Sequence, residues 1–132
     1  MFNLGEKMDA TRANNLNPIV LAFVGDAVYS LFVREKLAFS CDKKAGEMNK
    51  LAVQSVNAIA QAEFTKSVFE LFNEQELAIF KRARNAKKTT RAKNASVSEY
   101  NTSTGFEAVL GYLYVIGDFD RLNFILNKGN TL

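Results

Sequence analysis

Two acidic residues occupy otherwise uncharged stretches of the chain. Asp26 lies in the middle of the stretch 18–33, and Glu107 is the only charged residue in the stretch 104–116. Burying an unpaired carboxylate in apolar surroundings costs several kcal/mol. If the two stretches pack together, their carboxylates must share a proton or bind a cation, and hard divalent ions prefer oxygen ligands. The pair predicts a metal site that uses Asp26 and Glu107 as ligands and catalytic residues, with Mg²⁺ or Mn²⁺ as the ion. For either residue alone, partial exposure or a hydrogen bond to backbone remains an alternative.

The composition restricts the chemistry of such a site. The 132 residues include no histidine and one cysteine, Cys41. The lack of histidine excludes His-based acid–base catalysis, Ser-His-Asp and Cys-His nucleophiles and every His-containing metal site. A single cysteine excludes an intrachain disulfide and Cys-rich zinc sites. Catalysis would therefore depend on carboxylates, hydroxyls, Lys or Arg, together with a hard metal ion.

Positive charge is concentrated in one segment. Residues 81–94 carry seven of the 17 basic residues and no acidic residue, whereas the rest of the chain has 10 basic and 14 acidic residues. Such a segment attracts a polyanion, most commonly the phosphate backbone of a nucleic acid. The alternative is a solvated loop whose basic residues complement a helix C-terminus. The candidate nucleic-acid-binding residues are Arg82, Arg84, Asn85, Lys87, Lys88, Arg91 and Lys93.

Helices must position these side chains, because the chain has one proline and seven glycines and shows no sustained strand alternation. We predict an all-α helical bundle that forms a single domain over residues 1–132. Capping signals and apolar periodicity predict helices that run from Pro18 to about Leu37, from about Asp42 to Phe72 with a possible break at Val53–Asn57, from Asn73 into the basic segment, from Ser96 to Ile116, and from Phe119 to Lys128.

The N-terminal residues lack the features of a signal peptide, and the longest apolar stretch is shorter than the ~20 residues that cross a bilayer. We therefore expect a soluble, cytoplasmic protein with no membrane partner. In that compartment Cys41 would be a reduced bystander.

Two segments resemble the signature motifs of the ribonuclease III family. Phe23-Val24-Gly25-Asp26-Ala27-Val28 is similar to the pattern Phe-Leu-Gly-Asp-Ala-Val, and residues 104–114 are similar to the second catalytic helix, in which Glu precedes Ala-Leu-Ile-Gly. More closely, the chain resembles the Mini-ribonuclease III family, the small bacterial form without a double-stranded-RNA-binding domain. This resemblance spans about residues 17–126, and it also draws on Leu21-Ala22-Phe23, Gln61-Ala62-Glu63 and residues 81–87.

The resemblance implies a helical endonuclease domain that acts as a homodimer on double-stranded RNA and uses one site for each strand. The implied products carry 5′-phosphate and 3′-hydroxyl ends with a short 3′ overhang. The implied substrate is the precursor of the large-subunit (23S) ribosomal RNA, which places the protein in ribosomal RNA processing and ribosome biogenesis. With no separate binding domain, the basic segment would contact the RNA.

The chain departs from the larger enzymes at two positions. Ala22 and Thr104 stand where typical ribonuclease III has Glu and Asp, so that only Asp26 and Glu107 remain of four carboxylates. Water and RNA phosphate oxygens would then complete the coordination of the ion. Two alternatives stay open: a non-catalytic module that binds structured RNA, and a helical dimer whose carboxylates bind metal for stability alone.

Overall fold

The computed structural model describes residues 5–40, 42–88 and 94–129, and it confirms the predicted all-α fold. Over these residues the chain contains helices and turns but no strand. The elements are α1 (Ala10–Asn14), α2 (Pro18–Ser40), α3 (Ala45–Val56), α4 (Ala58–Val68), a 3-10 turn (Phe69–Leu71), α5 (Glu74–Asn85), α6 (Val97–Val115) and α7 (Phe119–Leu126). None of the described helices is long and apolar enough to cross a membrane. Cys41 lies outside the described residues.

Local capping sets most helix boundaries where the sequence predicts them. Asn73 and Ser96 each form a capping box with the Glu three residues later, at the starts of α5 and α6. The predicted break in the second helical region falls at Asn57, which ends α3 and whose side chain accepts a hydrogen bond from the Ala60 N–H at the start of α4. These side chains satisfy backbone N–H groups that helix ends leave unpaired.

The structure also corrects the predicted boundaries. α2 continues to Ser40, three residues beyond the predicted end, and α7 ends at Leu126, two residues early. The short helix α1 was not predicted; Asp9 caps its start, and the Asp9 side chain accepts hydrogen bonds from the backbone N–H groups of Thr11 and Arg12. The helix predicted to run from Asn73 into the basic segment does so, because α5 continues to Asn85.

The central feature of the bundle is the antiparallel contact between α2 and α6, the most extensive helix pair. A Cβ at Gly25 would lie 1.7 Å from the carbonyl oxygen of Glu107, and one at Gly111 would lie 1.8 Å from the carbonyl oxygen of Leu21. The two backbones therefore touch at reciprocal positions that admit no side chain. The close contact therefore depends on glycines near both acidic residues, Gly25 before Asp26 and Gly111 one turn after Glu107.

The C-terminal helix is held by a buried ion pair. Glu76 is 1% exposed, and its carboxylate accepts hydrogen bonds of 2.8 Å from Nε and Nη2 of Arg121 on α7. Arg121 also donates to the carbonyl oxygen of Leu71. Because the same carboxylate closes the capping box with Asn73, one buried group joins the start of α5 to α7.

α2 is not buried on all sides, although its sequence is apolar over most of its length. It buries Leu21 and Tyr29 but leaves Phe23 80% and Leu31 52% exposed. Asp26 is also exposed. The predicted burial therefore holds for Glu107, which is only partly exposed, and is wrong for Asp26.

We expect Gly111→Ala to lower the free energy of unfolding by about 1–3 kcal/mol, because the added methyl group meets backbone that must shift. The matched control is Gly46→Ala in α3, where an added Cβ meets nothing within 4 Å. That variant should be as stable as the wild type or up to about 1 kcal/mol more stable. Urea denaturation measures both, and equal stabilities for the two variants would contradict the proposed contact.

Candidate active site

The contact between α2 and α6 brings the two predicted site residues together. Asp26 directly follows Gly25, whose missing side chain admits the backbone of Glu107. Both carboxylates line one open cavity of about 420 Å³. The wall is completed by residues of α2, α3, α4 and α6: Ile19, Ala22, Phe23, Val56, Ala58, Gln61, Tyr100, Ser103 and Thr104.

The surroundings of Glu107 oppose its negative charge. The pKa of Glu107 is raised to about 9, mainly by burial and further by a hydrogen bond with Asp26 and the negative charge of that residue. A hydrogen bond from Gln61 acts in the opposite direction and lowers this pKa. At neutral pH the Glu107 carboxyl group therefore keeps its proton, as expected for a buried carboxyl group beside a second carboxylate.

The cavity offers oxygen ligands, which suit hard cations such as Mg²⁺ better than metals that prefer nitrogen or sulfur ligands. Asp26 and Glu107 provide carboxylate oxygens, and among the described residues there is no cluster of three or more His, Cys, Asp or Glu side chains. Two carboxylates can hold a Mg²⁺ ion that keeps several waters, whereas they are too few for a closed all-protein site. The hydroxyl group of Thr104 donates a hydrogen bond of 2.9 Å to the carbonyl oxygen of Tyr100 in the same helix. Its proton is therefore used within α6 rather than in the cavity.

Gln61 is a site residue that the sequence analysis did not identify. It appeared there only as part of a motif shared with the Mini-ribonuclease III family. In the structure Gln61 is 2% exposed, lines the cavity and contacts Glu107. The available signal was the position of a Gln among alanines in the apolar helical stretch 58–62, where a buried amide needs partners.

Two of the candidate residues in the basic segment, Arg82 and Lys88, donate hydrogen bonds within the protein. Arg82 donates two hydrogen bonds to Asn14, of 2.8 and 3.0 Å, and thereby ties α5 to the end of α1. Nζ of Lys88 donates to the carbonyl oxygens of Arg84 and Ala86, where it caps α5. Partial burial accordingly lowers the pKa of Lys88.

Arg84, Asn85 and Lys87 are the remaining candidate residues that the structure describes, and each is at least partly exposed. The guanidinium of Arg84 lies 5.6 Å from the ring centroid of Phe80 and donates to the side chain of Asn85. Asn85 and Lys87 are exposed. Arg91 and Lys93 lie outside the described residues.

Comparison with known proteins places this geometry in a family. The model of the ribonuclease III domain matches residues 19–118, which is most of the chain. The chain belongs to the ribonuclease III family. This membership groups it with the endoribonucleases that act on double-stranded RNA.

Individual members of the ribonuclease III family align over most of their length. The chain is 41% identical over 126 residues to the Mini-ribonuclease 3 of Clostridium tetani, covering 95% of this chain and 83% of the relative. It is 46% identical over 112 residues to the Mini-ribonuclease 3 of a Thermoanaerobacter species, covering 85% and 79%. A crystal structure of a Fusobacterium nucleatum protein superposes with a TM-score of 0.76 at 29% identity, covering 86% of this chain and 90% of that protein.

Glu107 makes the stability of the metal-free protein depend on pH. The folded chain keeps a proton on Glu107 up to about pH 9, whereas the unfolded chain releases it near pH 4.5. Because the folded state binds more protons in this interval, the free energy of unfolding falls as the pH rises, by at most about 1.4 kcal/mol per pH unit. Glu107→Gln should remove this pH dependence. Its free energy of unfolding should therefore rise relative to that of the wild type as the pH increases.

Urea denaturation in EDTA at several values between pH 5 and pH 9 measures the difference. Glu63→Gln, which removes an exposed carboxylate outside the cavity, is the control. Parallel pH profiles for the wild type and Glu107→Gln would show that Glu107 does not hold the proton.

Proposed function

We propose that the chain is a Mg²⁺-dependent endoribonuclease that cuts both strands of double-stranded RNA and leaves 5′-phosphate ends. The observation that carries this proposal is the meeting of Asp26 and Glu107 in one open cavity. Mn²⁺ is a possible substitute for the ion. The proposed substrate is the 23S ribosomal RNA precursor, supported by the similarity to relatives named Mini-ribonuclease 3.

Each carboxylate has a distinct part in this mechanism. When bound between them, Mg²⁺ would supply an activated water and neutralise charge on the phosphate. Asp26 would hold the ion with an exposed carboxylate, whereas Glu107 would hold it with a carboxylate that is largely buried in the cavity wall. Glu107 must release its proton to act as a ligand, so the ion and the proton compete for the same group.

Substitution of either carboxylate by its amide should reduce RNA cleavage to background while the fold stays intact. Asp26→Asn and Glu107→Gln keep the side-chain shape but remove a charged oxygen ligand. The assay follows a labelled RNA duplex and a 23S precursor transcript with and without Mg²⁺, and it maps the ends. Asp42→Asn and Glu63→Gln, two exposed positions outside the cavity, are the controls.

Cleavage near the wild-type rate by either cavity variant would refute the proposed site. Duplex binding by the wild type without Mg²⁺-dependent cleavage would instead favour the non-catalytic binding module.

We further propose that the active particle is a homodimer formed through the exposed apolar stripe of α2. Val20, Phe23 and Leu31 are 47%, 80% and 52% exposed. With 100° between successive residues, they and Ala27 lie within one sector of the helix. Contiguous exposed apolar surface of this kind marks interaction sites, and closed two-fold pairing is the commonest assembly. Phe23 also lines the cavity, so a partner on this stripe would lie beside the site.

Light scattering should report about 29 kDa for the wild type, twice the chain mass of 14.7 kDa. Phe23→Glu should shift the protein towards the monomer, because it places a charge in the apolar stripe. Phe39→Glu is the matched control: Phe39 is 84% exposed on the same helix but points to a different side. A monomeric wild type, or equal effects of the two variants, would contradict the proposed dimer.

We also propose that Arg84, Asn85 and Lys87, together with the other basic residues of 81–94, contact the RNA backbone. Duplex RNA is recognised mainly through its shape, phosphates and 2′-hydroxyl groups. Arg84, Asn85 and Lys87 stand together at the exposed end of α5, and this supports their role. Arg82 and Lys88 use several of their donors inside the protein, which leaves them fewer donors for RNA.

The double variant Arg84→Ala, Lys87→Ala should weaken binding to all duplexes alike. It should also flatten the slope of log affinity against log salt by about two units, roughly one for each lost phosphate contact. Saturating cleavage should fall much less than in Asp26→Asn. The measurement is a salt titration of duplex binding in Ca²⁺.

Lys88→Ala provides the contrast within the same segment. It should lower thermal stability, because it removes the cap of α5, and change the salt slope less. An unchanged slope in the double variant would show that this end of α5 does not contact the RNA.

A further inference from the structure

The side chain of Gln61 is buried beside the two carboxylates, and its amide orientation is fixed by its neighbours. Nε2 donates to the carbonyl oxygen of Val56, at the end of α3, with a distance of 2.9 Å. A carbonyl oxygen only accepts hydrogen bonds, so the nitrogen must face Val56. The amide also hydrogen-bonds to Glu107. One side chain therefore ties the junction of α3 and α4 to the half-buried carboxyl group of the site.

The oxygen of the same amide has no partner. Among the buried side-chain nitrogen and oxygen atoms of the described residues, Oε1 of Gln61 is the one without a hydrogen bond. Leaving a buried acceptor unpaired costs about 1–3 kcal/mol. An unpaired group of this kind calls for an explanation, and here it belongs to a residue that lines the cavity. A hard oxygen of this type suits a bound cation or its hydration water.

We propose that Gln61 is a positioning residue for the metal site. Its amide nitrogen holds Glu107 in place as a ligand. Its Oε1 is an additional oxygen that would contact the ion or accept a hydrogen bond from a water of the ion. This inference rests on the proposed function, because it assigns a role toward the ion held by Asp26 and Glu107. Its N–H groups interact with the charged form of Glu107, the form that binds metal, and so oppose the effects of burial and of Asp26.

The Gln61 carboxamide also suits a metal site that has only two carboxylates. An Asp or Glu at position 61 would add a third negative charge beside a group that is already costly to ionise. The amide provides an oxygen without a charge and a donor that orients Glu107. Groups that orient metal ligands typically change metal affinity by about 10- to 100-fold when they are removed.

The test compares Mn²⁺ binding, followed by electron paramagnetic resonance in the absence of RNA, for the wild type and Gln61→Met. Met keeps the unbranched shape and length but removes the amide. We expect the dissociation constant for Mn²⁺ to rise by about 10-fold or more. The Mn²⁺ concentration that gives half-maximal cleavage should rise in parallel, whereas cleavage at saturating Mn²⁺ should fall less.

Thr65→Val is the matched control. Thr65 is also 2% exposed, lies one turn further along α4 and donates only to the carbonyl oxygen of Gln61. This variant removes a buried polar group of the same helix and should leave Mn²⁺ binding unchanged. Gln61→Asn is a second variant that keeps a buried amide but is too short to bridge Val56 and Glu107, and it should weaken binding like Gln61→Met.

A dissociation constant within about twofold of the wild type for both Gln61 variants would overturn the role of Gln61 and leave the proposed function standing. If the wild type shows no Mn²⁺ binding that Asp26→Asn abolishes, the metal site itself is refuted, and the role of Gln61 with it.

Discussion

The structure depends on one backbone contact, the place where α2 and α6 touch at Gly25 and Gly111. Neither position has room for a Cβ, since each would meet a carbonyl oxygen of the facing helix at 1.7 or 1.8 Å. This approach fixes the height and rotation of both helices. Asp26 and Glu107, next to the contact on either side, are thereby placed at one cavity. The geometry of the site is thus set by residues without side chains.

The same contact makes the ionised form of Glu107 unfavourable in the metal-free protein. It carries Glu107 into the wall of the cavity, where burial and the neighbouring Asp26 favour the protonated form. Because the Glu107 carboxylate is held in place without a positive charge beside it, a bound cation would provide the missing charge. The position of Glu107 lowers the free energy of unfolding of the metal-free protein when this group is ionised, and the same position makes it a ligand for a cation.

Features encoded by nearby residues could be predicted from the sequence. The capping boxes at Asn73 and Ser96 and the break at Asn57 depend on side chains within three residues of the helix end, and the structure confirms them. The pairing of Asp26 with Glu107 was also predicted, because each is the sole charge of an apolar stretch. Gly25 and Gly111, which lie near them in the sequence, are small enough to allow the close helix contact.

Features that depend on which surfaces remain uncovered could not be predicted. The apolar pattern of α2 is the same whether a face packs in the core or stays exposed, so nothing in the sequence predicted the exposure of Phe23. For Asp26, partial exposure was one of the two alternatives that the sequence left open. The basic segment gave no indication that Lys88 caps α5 while Lys87 is exposed, because that depends on how the chain turns after Asn85. Gln61 emerged only when its distant partner Glu107 was in place.

The most direct test of the central claim is the anomalous diffraction of Mn²⁺ in crystals of this protein. Our account predicts a peak at the α2–α6 contact, with oxygen atoms of both Asp26 and Glu107 at about 2.0–2.3 Å, near the distances typical of such ions. A peak bound to only one of these carboxylates, or strong peaks elsewhere with none in the cavity, would contradict it.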